Sequence, residues 1–283
     1  MKTKISILGT GLVGSDLLVK VMRSPHLECV MFAGQREDSP GIARAKKLGI
    51  PTSIESITAI PDETRVVFDC TTAKTHLEYG AIFNYMDKFV IDLTPSRAGK
   101  MCVPLINLGE CLKEYDVNLV SCGAQAMTPL AKAIMDIQPC EYMELVSTIA
   151  SKSAGIGTRD NIDEFTQTTA DALVELGGVP NSKAIIILNP AEPPINMRNT
   201  LYCKIKNPDI RKIRKAVDGV VRQLQEYIPG YELIVPPTYE KGQNRLTMST
   251  AVAGRGDYLP KYAGNLDVIT STAIKIAETY AKG

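Results

Sequence analysis

Cys122 is the residue of this chain whose position best suits covalent chemistry. It follows an apolar run, Val117 to Val120, that predicts a buried strand, and a helix-like sequence begins directly after Gly123. A thiol there would lie beside the unpaired backbone N–H groups of the helix's first turn, which favour negative charge. Such a thiol ionises more easily and can act as a nucleophile. A small buried cysteine without reactivity fits the same sequence, and this segment alone does not separate the two interpretations.

A second turn has the residue types that hold phosphates. Residues 4–8 predict a short strand, the sequence Gly9-Thr10-Gly11-Leu12-Val13-Gly14 follows, and helically spaced apolar residues continue to residue 22. Strand, GxGxxG and helix in this order are typical of a dinucleotide-binding turn. The first glycine makes the tight turn, the second lets the backbone approach the pyrophosphate, and the third lets helix and strand pack closely. A merely glycine-rich turn is the alternative.

The residues after the second predicted strand bear on which dinucleotide would bind. This strand ends at Gly34 and is followed by Gln35-Arg36-Glu37-Asp38. Arg36 could pair with the 2′-phosphate of NADP, whereas Glu37 or Asp38 could bind the ribose hydroxyls of NAD. A solvated turn fits equally well, so these residues leave the choice between NAD and NADP open.

The alternation of short strands and helices sets the fold class. It continues to about residue 93 and predicts a Rossmann-type, doubly wound parallel sheet. Beyond about residue 137 the strands have long connections, which predicts an α/β domain with a mixed or antiparallel sheet covered by helices. We expect a dinucleotide-binding domain over residues 1–122, completed by a C-terminal helix within 258–283, and a second domain over 123–257.

Composition excludes several classes of protein. The chain has 32 basic and 31 acidic residues and a net charge of +1, without the basic patch of a nucleic-acid binder. Seven cysteines without a CxxC pair indicate a reducing compartment, and two histidines, His26 and His76, are too few for a histidine-rich metal site. There is no signal-peptide pattern and no apolar stretch of the ~18 residues that a membrane span needs. The sequence predicts a soluble cytoplasmic protein that binds no metal, nucleic acid or membrane.

Several long strings give the chain a resemblance to a known family: GTGLVG, IDLTPS, SCGAQAMTP, SKSAGIGTRDNIDEFTQTT, KAIIILNPAEPP and YLPKYAGNLD. Over nearly its whole length the chain resembles the acylating acetaldehyde dehydrogenases, the partners of 4-hydroxy-2-oxovalerate aldolases in the degradation of aromatic compounds. The resemblance implies that the second domain is catalytic and forms a homodimer. It also implies oxidation of a short aldehyde, acetaldehyde or propanal, with NAD⁺ and coenzyme A to an acyl-CoA.

The resemblance also implies roles for individual residues. Cys122 matches the family's nucleophile, which would carry a thiohemiacetal and then a thioester. Cofactor contacts are implied for Thr10 to Val13, for Asn265 and for the loop Ser153-Ala154-Gly155-Ile156-Gly157-Thr158-Arg159-Asp160-Asn161. Without the resemblance this loop is a helix-capping turn with Asp160 or Asn161 as the cap, and Asn265 is an N-cap near the last helix.

Two departures from the family's pattern matter. Residues 197–200 read MRNT where the family usually has MRDT, whose Asp is thought to assist the cysteine. Asn199 can hydrogen-bond and orient but cannot accept a proton as a base. Either the helix terminus ionises Cys122, or Glu192 or His76 takes over. The segment YELIVPPTYEKGQNRLTMS is also shorter than in the family, which leaves the aldolase interface open.

Two rival functions fit parts of the sequence. A phosphorylating or semialdehyde-type dehydrogenase would share the Rossmann domain and the cysteine. Such enzymes generally pair the cysteine with a catalytic-domain histidine, and this chain has none after residue 76. A catalytically reduced NAD(P)-binding subunit is the other rival, and Asn199 is its single indication.

Overall fold

The chain folds into two compact units. The computed structural model describes residues 1–155, 158–159 and 161–283. The first unit comprises Met1–Leu119, Asp257–Leu259 and Ile269–Gly283, and the second comprises Val120–Gly256 and Pro260–Val268.

The first unit is built on one parallel sheet in the order β3-β2-β1-β4-β5-β7-β6. Its strands are β1 (Thr3–Leu8), β2 (Leu27–Ala33), β3 (Thr52–Ser53), β4 (Val66–Asp69), β5 (Phe89–Asp92), β6 (Lys100–Met101) and β7 (Asp116–Asn118). Its first four helices are α1 (Leu12–Arg23), α2 (Pro40–Lys47), α3 (Ala73–Tyr85) and α4 (Pro104–Cys111). The predicted Rossmann-type sheet is confirmed. Since the strand order reverses between β1 and β4, a ligand crevice is expected at the carboxyl ends of these two strands.

The second unit contains a five-stranded sheet in the order β11-β12-β10-β8-β9. Its strands are β8 (Tyr142–Ala150), β9 (Ser182–Asn189), β10 (Met197–Lys204), β11 (Tyr231–Glu240) and β12 (Arg245–Val252). β8 and β9 are parallel and the other neighbours are antiparallel, so the prediction of a mixed sheet is confirmed. Every second residue of β12 is buried, because helices cover one face. These are α5 (Cys122–Ile137), α6 (Ile162–Glu175) and α7 (Ile210–Gln225).

The last helix, α8 (Gly264–Ala281), contributes its residues from Ile269 onward to the first unit. There, Thr270 donates its hydroxyl to Asp16 Oδ2 on α1 at 2.7 Å, and Asp16 also pairs with Lys20 one turn along. The side chains of Asp16 and Lys20 are only 3% and 5% exposed. Tyr280 stacks on Phe89 with 4.6 Å between ring centroids. The helix is therefore held by a buried polar network as well as by apolar packing.

The elements that the sequence did not predict are the short ones. β3 and β6 have two residues each, too few for a periodic pattern to stand out, and α4 is interrupted by the non-helical backbone of Asn107, with φ of −138° and ψ of 21°. Among the residues described, no helix combines the length and the apolar character that crossing a membrane would require.

The buried Lys20–Asp16 pair gives a prediction for stability. Lys20→Met should lower the free energy of unfolding by about 3–5 kcal/mol, because it removes the cation from a buried carboxylate. Denaturant unfolding followed by circular dichroism measures this change.

Lys132→Met is the matched control. Lys132 and Asp136 have the same spacing on α5, but their side chains are 39% and 58% exposed, so this loss should cost less than about 1 kcal/mol. Equal costs for the two variants would show that burial of the Lys20 pair has no energetic importance.

Candidate active site

The glycine turn after β1 has the geometry that its sequence predicts. Gly9 has a φ of +97°, and a β-carbon built on it would lie 2.4 Å from the carbonyl oxygen of Cys70. A β-carbon on Gly14 would lie 1.9 Å from the carbonyl oxygen of Gly9, whereas one on Gly11 would have no described atom within 4 Å. Gly9 and Gly14 are thus required for close packing, and Gly11 leaves the backbone open to a ligand.

A cleft of about 440 Å³, which we call the glycine-turn cleft, opens beside this turn. It is lined by Gly9–Gly11, Gly34–Arg36, Ser39–Pro40, Ser56, Cys70–Thr72 and Thr75. Gly11 is the N-cap of α1 and has no side chain that could accept the first-turn N–H groups. These groups, beginning at Leu12 and Val13, therefore keep their positive partial charge. A cradle of this kind suits a diphosphate.

Arg36 lines the glycine-turn cleft but is already engaged. Its guanidinium donates Nε to Asp38 Oδ1 at 3.0 Å and Nη2 to Asp38 Oδ2 at 2.8 Å. This hydrogen-bonded pair lowers the pKa of Asp38, although both side chains are well exposed. Glu37 lies 3.5 Å from Lys46 in another exposed pair. This arrangement is compatible with recognition of the 2′-phosphate of NADP and equally with recognition of the ribose hydroxyls of NAD.

Cys122 lies at the predicted strand-to-helix turn. β7 ends at Asn118, Val120 has a φ of +62°, and α5 begins at Cys122. Ser121 is the N-cap, and its hydroxyl accepts the N–H of Ala124 at 3.0 Å. A left-handed conformation is strained for a β-branched residue such as Val120, and strain of this kind recurs at functional sites. The prediction for the position of Cys122 is confirmed.

The expectation of an easily ionised thiol is wrong. Burial raises the pKa of Cys122 to about 11. Hydrogen bonds from the backbone N–H groups of Gly123 and Cys122 oppose this rise but do not cancel it. The helix terminus therefore stabilises the thiolate by less than desolvation disfavours it.

Other thiols of the chain are better ionised but less accessible. Hydrogen bonds from Cys102 and Cys203 lower the pKa values of Cys111 and Cys140, respectively. Cys111 and Cys140 are both buried, whereas Cys122 keeps part of its surface exposed. Any preference of an alkylating reagent for Cys122 thus depends on access rather than on a lowered pKa.

Asn199 is buried at the centre of the second unit's sheet, between Ser147 on β8 and Thr250 on β12. Its Oδ1 accepts the Ser147 hydroxyl at 2.8 Å, and its Nδ2 donates to Thr250 Oγ1 at 3.3 Å. Ser147 Oγ in turn would lie 2.8 Å from a β-carbon built on Gly123. Asn199 is therefore linked through Ser147 to the turn that contains Cys122 and Gly123.

The two candidate replacement bases are engaged elsewhere. Glu192 forms an exposed ion pair with Lys152. His76 belongs to the first unit, where its ring nitrogens lie 2.8 Å from Asp69 and 3.2 Å from Asp116. Both ring nitrogens of His76 thus face carboxylates, and the Glu192 carboxylate faces a cation.

Asn265 is the second residue of α8, within the helix rather than at its N-cap as the residue-based interpretation predicts. Its Nδ2 donates to the carbonyl oxygen of Ser153 at 3.4 Å, while its buried Oδ1 has no hydrogen-bond partner among the residues described. An amide oxygen in this state is a suitable acceptor for a ligand.

The loop that contains Ser153 is held by local contacts. Ser153 donates its hydroxyl to Ala150 at 2.9 Å, and Arg159 donates to the carbonyl oxygens of Ala154 and Ser151. Gly155 and Thr158 lie between these residues, and Asn161 is the N-cap of α6 without a side-chain capping bond. The predicted cofactor contacts Ile156, Gly157 and Asp160 lie outside the described residues.

Ser147 and Thr250 are site residues that the sequence reasoning missed. A signal for Ser147 was present, since it occupies an inward-facing position among Met143, Leu145 and Ile149 on β8. A polar residue in such a series indicates a buried hydrogen bond. No sequence pattern indicates that the partner of Ser147 is Asn199, because that pairing depends on strand register.

Comparison with known proteins gives consistent matches. A family model described as prokaryotic acetaldehyde dehydrogenase, dimerisation, matches residues 122–260. The acetaldehyde dehydrogenase of Thermomicrobium roseum is 49% identical over 99% of this chain and 94% of its own. That of Spirochaeta aurantia is 47% identical over 99% and 95%. The solved structure of aspartate semialdehyde dehydrogenase II from Vibrio cholerae, complexed with ASA, shares the fold, with a TM-score of 0.67, 13% identity and 98% coverage of both chains.

Asn199→Asp tests how position 199 acts on Cys122. The hydroxyls of Ser147 and Thr250 can both donate to a carboxylate, so we expect Asp at this position to be ionised at pH 8. Its negative charge should raise the pKa of the thiol and slow alkylation of Cys122 by iodoacetamide roughly twofold to tenfold. The rate is measured from pH 7 to 10 by mass spectrometry of the Cys122 peptide.

Asn181→Asp, at an exposed amide of the same unit, is the control and should leave the rate unchanged. Faster alkylation of Asn199→Asp would mean instead that the carboxylate accepts the thiol proton. An unchanged rate and pH profile would show that position 199 does not influence the cysteine.

Proposed function

The chain belongs to the acetaldehyde dehydrogenase family, and on that premise we propose that it oxidises acetaldehyde or propanal to the acyl-CoA with NAD⁺ and coenzyme A. The observation that carries the proposal is the strained strand-to-helix turn that presents Cys122 with the N–H groups of Cys122 and Gly123 directed to its sulfur. The relatives support an aldehyde as the substrate through their names. The acyl transfer and the thioester are inferred from the chemistry of a cysteine nucleophile.

The proposed reaction begins with the Cys122 thiolate. Its sulfur adds to the aldehyde carbon, and the carbonyl oxygen becomes the oxyanion of a thiohemiacetal. The N–H groups that stabilise the thiolate are the donors available to this oxyanion. When the C–H hydrogen leaves with its electron pair, the carbonyl re-forms and Cys122 carries a thioester. The coenzyme A thiolate then attacks the thioester and releases acyl-CoA and the Cys122 thiolate.

The nicotinamide cofactor would supply the hydride acceptor in this reaction. We propose that Gly9 to Gly14 hold its diphosphate, with Gly11 at the closest approach and the α1 terminus providing N–H donors. The open cradle beside Gly11 supports this assignment. Cofactor contacts by Ser153 to Asn161 and the role of NADP stay predictions.

We propose that the second unit forms a homodimer, as the description of its family model suggests. One face of its sheet is covered by helices, and the alternate residues of β8 and β12 on the other face are only half-buried in the single chain. Ile187, Ile234 and Val235, on the edge strands, are exposed. A complex with an aldolase stays a prediction of the resemblance.

Cys122→Ser tests the covalent mechanism. Acyl-CoA formation should fall by several orders of magnitude while cofactor binding persists, because an alcohol cannot replace the thiolate. NADH absorbance with acetaldehyde, coenzyme A and NAD⁺ measures the rate.

In the unaltered enzyme kcat/KM should rise from pH 7 to 9, since about one Cys122 thiol in a thousand is ionised at pH 8 for a pKa of about 11.

Cys29→Ser, at a buried thiol of β2, is the control and should keep most of the activity. Retention of more than about a tenth of the rate by Cys122→Ser would contradict the covalent role. The same assay with phosphate in place of coenzyme A identifies a phosphorylating enzyme, and inactivity with every acceptor and either cofactor identifies a catalytically reduced subunit.

Arg36→Ala tests the choice of cofactor. If Arg36 contacts a 2′-phosphate, its loss should weaken NADP⁺ binding more than NAD⁺ binding by roughly 1.5–3 kcal/mol. Calorimetric titration with both cofactors measures the difference. Asp38→Asn is the complementary variant: it releases the guanidinium from its carboxylate and should strengthen NADP⁺ binding. Equal effects of Arg36→Ala on the two cofactors would identify Arg36 as a solvated turn residue.

A further inference from the structure

The first unit contains a buried group of one histidine and three aspartates that the proposed reaction does not use. His76, on α3, is 1% exposed. Its Nδ1 lies 2.8 Å from Asp69 Oδ2, and its Nε2 lies 3.2 Å from Asp116 Oδ2 and 3.6 Å from Asp92 Oδ2. The aspartates lie on the neighbouring strands β4, β5 and β7, and Asp69 is directly opposite Asp92. We call these four residues the His76 cluster.

The cluster requires a charged imidazole. A neutral imidazole has one N–H and one acceptor nitrogen, so it can donate to a carboxylate from only one side of the ring. Here carboxylates face both nitrogens, and an ionised carboxylate has no proton to donate. Both nitrogens of His76 must therefore carry protons. The resulting positive charge also reduces the repulsion among three carboxylates in a buried environment.

The ionisation of the cluster agrees with this arrangement. Burial alone would lower the pKa of His76, but hydrogen bonds to Asp116 and Asp69 and the charges of Asp92 and Asp116 raise it to about 10. Burial raises the pKa of Asp92 to about 7, against the opposing charge of His76. The imidazolium thus persists through neutral pH, whereas Asp92 is partly protonated near pH 7.

A metal ion fits this cluster less well than a proton does. Ligand atoms of Asp69, His76 and Asp92 lie within 4.8 Å of one another. Each ring nitrogen, however, carries a proton that is hydrogen-bonded to a carboxylate. A metal ion could bind the ring only by displacing one of these protons. The imidazolium is therefore the cation that this geometry accommodates.

The cluster is connected to the glycine-turn cleft through Asp69. While Oδ2 of Asp69 faces His76, its Oδ1 accepts the backbone N–H of Thr71 at 2.9 Å and the Thr71 hydroxyl at 2.5 Å. Thr71 lines the cleft together with its neighbours Cys70 and Thr72. The carbonyl oxygen of Cys70 is also the atom against which Gly9 packs. The orientation of Asp69 therefore fixes the turn that forms one wall of the cleft.

We propose that His76 is a positioning residue for dinucleotide binding, which as an imidazolium orients Asp69 and, through Asp69, the turn at Thr71. The inference rests on the proposed dinucleotide site. His76 acts through Asp69 rather than by touching the cofactor. Its contribution is complete below the ordinary histidine pKa of about 6.5 and is lost as the pH rises through about 10, because the folded protein then releases the proton. The charged groups that face the ring are Asp69, Asp92 and Asp116, and Phe83 packs beside it at 5.3 Å.

The protonation state of His76 can be observed directly. The chain has only two histidines, so a His26→Gln variant labelled with ¹⁵N-histidine reports His76 alone by NMR. Both ring nitrogens should be protonated from pH 6 to 9, with and without a chelator. A neutral tautomer at pH 8, or a spectrum that the chelator changes, overturns the proposal.

The effect on binding is measured by NADH fluorescence. His76→Gln should raise the Kd for NADH roughly 10- to 100-fold, the loss expected when a charge-assisted hydrogen bond disappears. His26→Gln is the control, since the hydrogen bonds of His26 involve its backbone, and should change Kd less than about twofold. The unaltered protein should lose NADH affinity as the pH approaches 10, and folded His76→Gln should lack this pH dependence, which a merely structural role would not explain.

Thr71→Val keeps the proposal testable if His76→Gln does not fold. It removes the hydroxyl that Asp69 holds while leaving the cluster intact, so NADH should bind more weakly and the NMR spectrum of His76 should not change. NADH binding that is insensitive to both substitutions overturns this inference alone. Failure of the unaltered protein to bind NADH would overturn the proposed function and this inference together.

Discussion

Both functional turns of the chain depend on one physical constraint: a strand that passes directly into a helix leaves the first N–H groups of that helix without backbone partners. At Gly9–Leu12 the absence of a side chain on Gly11 keeps these groups open to an extended anion. At Val120–Cys122 the same groups meet a sulfur atom, and the tight geometry is reached with a strained valine rather than a glycine. The proposed difference in role, cofactor binding at one turn and covalent chemistry at the other, thus follows from the side chains at the two turns.

The electrostatics at Cys122 explain why an amide at position 199 is compatible with the proposed reaction. Burial disfavours the thiolate more than the helix terminus favours it, so the balance is already against ionisation. A carboxylate at position 199 would add a like charge to this balance. Asn199 instead accepts from Ser147 and donates to Thr250, which orients both hydroxyls while leaving the surroundings neutral. The departure from MRDT therefore removes a proton acceptor and a repulsive charge together.

The sequence predicts those features that depend on local patterns. The helices and the longer strands follow from apolar periodicity, and the glycine turn and Cys122 follow from residue order along the chain. The prediction of a lowered pKa for Cys122 is wrong, because desolvation depends on the packing of the folded chain, which residue order around Cys122 does not reveal. The Ser147–Asn199–Thr250 contact requires the register of three strands, which single-sequence patterns do not fix. For the same reason, nothing in the sequence linked His76 to Asp69, Asp92 and Asp116.

Buried charged groups have charged partners in the first unit, whereas buried polar groups near Cys122 in the second have neutral partners. This difference suits the roles proposed for the two units. In the first unit, buried charges are neutralised by fixed opposite charges, as Lys20 does for Asp16 and His76 for its aspartates. Such pairs hold a binding surface rigid, because separating them would leave an uncompensated buried charge. The described polar groups that lead from the Cys122 turn into the sheet include the buried and neutral Ser121, Ser147, Asn199 and Thr250. In the proposed reaction Cys122 alternates between thiol, thiolate and thioester, so its charge changes in every cycle. Neutral dipoles tolerate those changes better than a fixed ion would, since a fixed charge stabilises one state of the cycle at the expense of the others.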